Sequence, residues 1–300
     1  VCSSDLHFVG GAHNDALMVG LLAVALWVCT RGGPWQSLVI GSVLVAAAAA
    51  EKKDVSVVVV DHGLQPGSAE VAERAAKAAR EFGFSATVAN VTVGSGNVEA
   101  AAREARYNAL LERGVDVWVA HTADDQAETL LLGALRGNPA GMAARNGRVV
   151  RPFLTIRREN TVGACEELGL EPWHDPMNDD PSFRRVAVRT SIIPTLTELI
   201  GGDAVPALAT TADRIAEDRS LIEQLVDLTP TTSCAELVRD AGAVRRRRLA
   251  KWLLDEGVRV QGDQLAAIEA LVTDWHGQGP IPVGGGRAVV RNGAELTLVR

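Results

Sequence analysis

Three hundred residues with a hydrophobic fraction of 47% can build two domains around a sizeable core. A formal net charge of −7 speaks against a protein that holds polyanions by its total charge, although local basic patches still can. Cys2, Cys29, Cys165 and Cys234 are scattered without paired ligand spacing, which speaks against structural zinc and for a reducing, cytoplasmic compartment.

Residues 1–6 fit no element; they read as translated adapter sequence and are set aside from the fold. Residues 7–9 are expected to end a first strand, followed by the Gly10-Gly11 turn and an apolar helix over 16–29. Residues 30–36 read as a loop, and the alanine-rich run 38–50 as a second helix. Both apolar runs fall short of the roughly 18–20 residues that cross a membrane, so buried helices and no membrane partner are expected. The β-branched run 55–60 predicts a central parallel strand, ending on Asp61-His62-Gly63. A helix over 69–82, a strand over 86–93 and a helix over 98–113 follow.

Residues 115–120 predict another buried strand, which runs into His121-Thr122-Ala123-Asp124-Asp125-Gln126-Ala127-Glu128-Thr129 and a helix through 136. A strand over 149–153 and a helix over 157–168 come next. Residues 170–181 hold three prolines, which forbid regular structure, and a long loop of this kind is usually functional. Residues 192–228 read as helical with a break at Gly201-Gly202. A linker then leads to helices over 244–254 and 263–273 and a β-hairpin within 277–300. Strands alternating with helices at this spacing predict an α/β fold with a parallel, doubly wound sheet, followed by a helical region and a small C-terminal α+β unit. The expected divisions are 7–190, 191–230 and 231–300.

Parallel strands deliver their carboxyl ends to one side, so the loops 10–15, 61–63 and 121–129 should converge where such sheets bind ligands. A Gly-Gly turn before a helix lets backbone N–H groups meet phosphate, though a plain tight turn is an equal reading of Gly10-Gly11. Three carboxylates within five residues repel unless a cation or an amine relieves them. Asp124 and Asp125 are therefore candidates for Mg²⁺, with the remaining acid free for a cationic amine. The plain alternative is a helix N-terminus enriched in acid for its dipole. Arg184, Arg185 and Arg189, and the run Arg245 to Arg248, could hold a nucleic-acid backbone or stay solvated.

The ordered set Gly10-Gly11, VDHGLQPGS at 60–68, AREARY at 102–107, HTADDQAET at 121–129, Gly141-Met142, Arg151-Pro152, WHDPMN at 173–178, Phe183-Arg184-Arg185 and Arg189 resembles the tRNA(Ile)-lysidine synthetases, N-type ATP pyrophosphatases of the PP-loop superfamily. The likeness spans roughly residues 8–230, and the end, with Trp252 and the 273–279 stretch, is similar to short actinobacterial members. The resemblance implies that ATP adenylylates the wobble cytidine of a tRNA(Ile) with a CAU anticodon. The ε-amine of free L-lysine then displaces AMP. It places His121, Asp125 and Glu128 at lysine and the reacting base, with Arg185 and Arg189 at phosphate or the lysine carboxylate. It places ATP at Val9, Gly10, Gly11, Ala12, His13, Asn14, Asp61 and His62, with Mg²⁺, and it admits a homodimer. Where the family's phosphate loop reads Ser-Gly-Gly-x-Asp-Ser, residues 9–14 lack both hydroxyls and the Asp, and Asp15 stands one position out of register. That departure is read either as a damaged start of the coding sequence or as a homologue that only binds tRNA; another PP-loop tRNA-modifying enzyme is a further alternative.

Overall fold

The computed structural model describes residues 22–27, 36–63, 67–94, 98–170 and 183–300. Its first sheet has six strands: β1 (Leu22–Trp27), β2 (Val55–Asp61), β3 (Ser85–Asn90), β4 (Val117–Trp118), β5 (Arg145–Asn146) and β6 (Val149–Val150). Their order is β3-β2-β1-β4-β6-β5, parallel throughout except for β5. The helices that accompany them are α1 (Gln36–Ala50), α2 (Ser68–Glu81), α3 (Val98–Leu111), α4 (Ala123–Ala134) and α5 (Arg158–Glu167).

The β2 run is apolar on both sides because both faces of the sheet are covered. Val55, Val57 and Val59 pack with Leu44, Val45 and the small-residue face of α2 (Val71, Ala72, Ala75, Ala76, Ala79). Val58 and Val60 face the other way, against Leu110 of α3 and Val117, Val119 and Val149. The alanine spacing in α2 lets that helix sit close on the sheet.

The described part of the apolar run 16–29, Leu22–Trp27, is not the expected helix but the central strand β1, paired on both sides. A central strand of a sheet covered on two faces shows no alternation, so periodicity alone does not separate it from a buried helix. The expected strand at 7–9 and the turn at 9–14 lie outside the described residues. The strand expected over 149–153 stops at Val150, before Pro152, which has no N–H to donate.

The chain runs outward from β1 to β2 and β3, then returns to place β4 on the other side of β1. This reversal is a topological switch point, and in open α/β sheets the ligand crevice lies there, at the carboxyl ends of the strands. Strand β1 ends at Trp27 and helix α1 begins at Gln36; the eight residues between them carry Gly32-Gly33. On the other side of the switch, β4 leads directly into His121.

Beyond the sheet, α6 (Arg184–Ala187), a π-helical turn (Val188–Ile192) and α7 (Ile193–Ile200) precede the long α8 (Ala204–Leu225). Gly201 ends α7 in the left-handed conformation, with φ 67°, and Asp203 caps α8 by accepting from the Val205 N–H. The two arms meet at a 102° bend, which lays α8 along α4. Among the described residues, no single helix is long and apolar enough to cross a membrane.

The C-terminal part contains α9 (Cys234–Leu237), α10 (Gly242–Asp255), α11 (Gly262–Thr273) and a three-stranded antiparallel sheet in place of the expected hairpin: β7 (Ile281–Gly284), β8 (Arg287–Asn292) and β9 (Glu295–Val299). Leu237, Leu249, Leu253, Ile268, Leu271, Val289 and Leu296 give it a core of its own. The arginine run makes ion pairs and backbone hydrogen bonds within that unit, with Arg246 half exposed. Arg245 binds Glu269 and two backbone carbonyls, Arg246 binds Glu269, Arg247 binds the Ala243 carbonyl, and Arg248 binds Asp240 and Glu236.

Candidate active site

The acidic motif begins on a helix cap. Thr122 is the N-cap of α4; its backbone N–H and hydroxyl both donate to Asp125 Oδ2, at 2.9 and 2.8 Å. The dipole-and-cap reading therefore accounts for one oxygen of Asp125. The other, Oδ1, accepts from Arg158 Nη2 at 3.1 Å.

One turn further along, Glu128 is completely buried. Its Oε1 accepts from Arg158 Nη2 at 3.0 Å and from Arg189 Nε at 2.8 Å, and Arg185 Nε lies 3.7 Å from Oε2. Asp124 faces α5: its Oδ2 accepts from the Arg158 backbone N–H at 2.7 Å and from Arg157 Nε at 3.2 Å. Arg157 also reaches Asp203, the cap of α8. Three carboxylates are thus bound by four guanidiniums, and the repulsion expected from the sequence is relieved by arginines of the chain itself.

Burial alone would raise the Asp125 carboxyl, but Arg158 overrides it, joined by His121, Arg185 and the Thr122 N–H; the group is held below the usual carboxylate range. His121, at the end of β4, is lowered to about 3, first by burial and then by Arg151, Arg103 and Arg185, against the opposing pull of Asp125. Its imidazole is neutral near pH 7, and its Nδ1 has no hydrogen-bond partner. His62, at the end of β2, is lowered to about 4 by burial and then Arg106, with Asp61 opposing; both its ring nitrogens are buried without a partner. Unpaired buried nitrogens at the mouth of a ligand crevice are the kind of group that a bound substrate satisfies.

The structure brings His121, Asp124, Asp125, Glu128, Arg185 and Arg189 together, and sets Asp61 and His62 at the same sheet edge. Arg184 is exposed and joins nothing in the cluster. Residues 9–14 and the 173–178 loop lie outside the described residues. Each oxygen of Asp124 and Asp125 accepts at least one N–H or O–H donor from the chain. Among the described residues, no group of three or more His, Cys, Asp or Glu could hold a metal ion.

Sequence reasoning missed Arg157 and Arg158. Their signal was available: two cations opening a helix stand at the positive end of its dipole, and such placement needs acidic partners elsewhere. It also missed the work of Gln126, whose buried amide donates to the Met142 carbonyl at 2.8 Å and Asp213 at 2.6 Å, and accepts from the Met142 N–H at 2.7 Å. Gly141, just before, touches α8 so closely that a Cβ there would run into the Ala212 carbonyl.

This sheet, with its crevice at the β1–β4 switch, belongs to the PP-loop proteins: residues 20–196 match the family model of the PP-loop domain. The match begins after residues 9–14 and includes the β1–α1 connection. Over 272 residues the chain is 48% identical to a tRNA(Ile)-lysidine synthase of Corynebacterium glutamicum, covering 85% of both chains. It is 52% identical over 255 residues to that of Corynebacterium diphtheriae, covering 85% of this chain and 86% of that one. With the synthase of Nocardia farcinica it shares 47% over 278 residues, 86% of this chain and 87% of its relative. The chain belongs to the tRNA(Ile)-lysidine synthase family.

Proposed function

We propose that the chain joins the ε-amine of free L-lysine to the wobble cytidine of a tRNA(Ile) with a CAU anticodon, by way of an adenylylated tRNA. The observation that supports this most is the buried cluster of Asp125, Glu128, Arg185 and Arg189 beside a neutral His121, at the switch point of a PP-loop sheet. ATP attaches AMP to the base and releases pyrophosphate; the lysine amine then displaces AMP and forms the C–N bond. Asp125 and Glu128 keep lone pairs for the amine, while Arg185 and Arg189 face the lysine carboxylate or a phosphate. The guanidinium excess holds Asp125 below the usual carboxylate range and leaves room for an anion beside the amine.

The ATP phosphates are assigned to the connection between β1 and α1, where Gly32-Gly33 precedes Gln36, and not to Gly10-Gly11. The central strand, the switch point and the start of the family match all favour that position. Asp61 and His62 stand at the end of the neighbouring strand β2, which continues one register step past Trp27. Here Arg31-Gly32-Gly33-Pro34-Trp35-Gln36 keeps the glycines and lacks the family's flanking Ser and Asp. Mg²⁺ is expected on the phosphates of ATP. The location is the cytoplasm, where tRNA and ATP are.

ATP–pyrophosphate exchange dependent on tRNA(Ile) tests the first step. Exchange with the CAU-anticodon tRNA, and none with a tRNA lacking a wobble cytidine, is the expected result. Equal exchange with both would refute the substrate assignment.

A further inference from the structure

Arg158 is the one described residue that touches all three acids of the motif. Its backbone N–H donates to Asp124, and its Nη2 bridges Asp125 Oδ1 and Glu128 Oε1 at 3.1 and 3.0 Å. The side chain is 8% exposed, and its Nε is buried without a partner. A buried guanidinium is expensive to desolvate, so this one is retained only because its geometry satisfies the acids around it. The two carboxylates it bridges stand four and seven residues after His121 and come from one helix, whereas Arg158 arrives on another, beyond β6.

We propose that Arg158 is a positioning residue for amine recognition: one guanidinium nitrogen sets the separation of Asp125 and Glu128, and so the pair of acceptors that lysine meets. This rests on the reading of Asp125 and Glu128 as the lysine site. Without the bridge, Glu128 turns wholly to Arg189 and Arg185, and Asp125 keeps only Thr122 and the distant Arg185. The two acids then no longer converge. A lysine side chain at 158 keeps the charge, but its shorter stem ends in a point-like ammonium, so it separates geometry from charge.

The test is calorimetric titration of L-lysine, with ATP saturating, and of ATP alone, into the full chain and its Arg158→Lys and Arg158→Gln variants. Both variants should weaken lysine binding by at least about tenfold while ATP affinity changes less than about threefold. Melting curves keep the comparison to folded protein, and Arg158→Lys, which preserves the charge, carries the result if Arg158→Gln does not fold. Wild-type lysine affinity in Arg158→Lys overturns the proposal, because charge alone would then suffice. Tighter lysine binding in either variant overturns it too, because Arg158 would then be competing with the amine. Parallel loss of ATP and lysine affinity assigns Arg158 to the fold alone. A wild-type chain that binds ATP but not lysine refutes the lysine-site reading itself, and the positioning role with it.

Discussion

Replacing Glu128 with Gln removes one charge from the most buried part of the network while keeping its shape. Glu128 has no exposed surface, and its Oε1 accepts from both Arg158 and Arg189. Removing one partner of a buried ion pair costs about 3–5 kcal/mol, because the opposite charge stays desolvated. The amide carbonyl can still accept one N–H, and Arg158 keeps Asp125, so the lower end, about 3 kcal/mol, applies. At roughly 2–4 °C per kcal/mol for a domain of this size, the melting temperature should fall by about 6–12 °C. Differential scanning calorimetry with Glu159→Gln as control measures it. Glu159 is 73% exposed and 3.7 Å from Arg157, and such a pair is worth at most about 1 kcal/mol. If Glu128→Gln melts as close to wild type as the control does, the arginines do not depend on Glu128 and the charge argument is wrong.

Acid should destabilise the protein in two stages. His62 and His121 stay neutral when folded until about pH 4 and about pH 3, whereas unfolded histidines protonate near 6.5. The unfolded chain therefore binds more protons below about pH 6.5, and stability falls as pH drops towards 4; His62→Gln and His121→Gln should each flatten that slope in urea melts. Asp125, held below its usual range, contributes above about pH 3.9 and loses its contribution as pH falls further; Asp125→Asn should remove that lower limb. Gly141→Ala drives a methyl against the Ala212 carbonyl, and should cost about 1–3 kcal/mol in denaturant unfolding, as overpacking does; an unchanged midpoint would mean that α8 yields freely. Restoring the phosphate loop with Arg31→Ser, Trp35→Asp and Gln36→Ser should raise ATP–pyrophosphate exchange by about tenfold or more, since each regained phosphate contact is worth about 1 kcal/mol or more. The same triplet introduced at 9, 13 and 14 should do nothing.

Much of the α/β architecture was legible because β2 and α2 carry strong local patterns: an unbroken β-branched run, and a small apolar face at helical spacing. The cluster at 121–129 was legible because so many acids and a histidine at a strand–helix junction have few structural uses. Strand β1 was not legible, since a central strand without alternation looks like a short buried helix. Reading 16–29 as a helix put the candidate phosphate turn at Gly10-Gly11, in front of that run, whereas a strand there offers Gly32-Gly33 behind it as the proposed position. The partners of the acids were hidden for another reason: Arg157 and Arg158 lie about thirty residues downstream, and only the sheet crossing brings α5 beside α4. The partners of the arginine run at 245–248 were not legible either: Arg245 and Arg248 pair with Glu269, Asp240 and Glu236 of the same C-terminal unit.

Incorporation of labelled L-lysine into tRNA(Ile) bearing a CAU anticodon measures the central claim most directly. The triple variant Arg31→Ser, Trp35→Asp, Gln36→Ser should incorporate lysine only with ATP present, and should lose incorporation when Asp125→Asn or Glu128→Gln is added. If that triple variant binds the tRNA and ATP yet transfers no lysine, the cluster on α4 is not a lysine site.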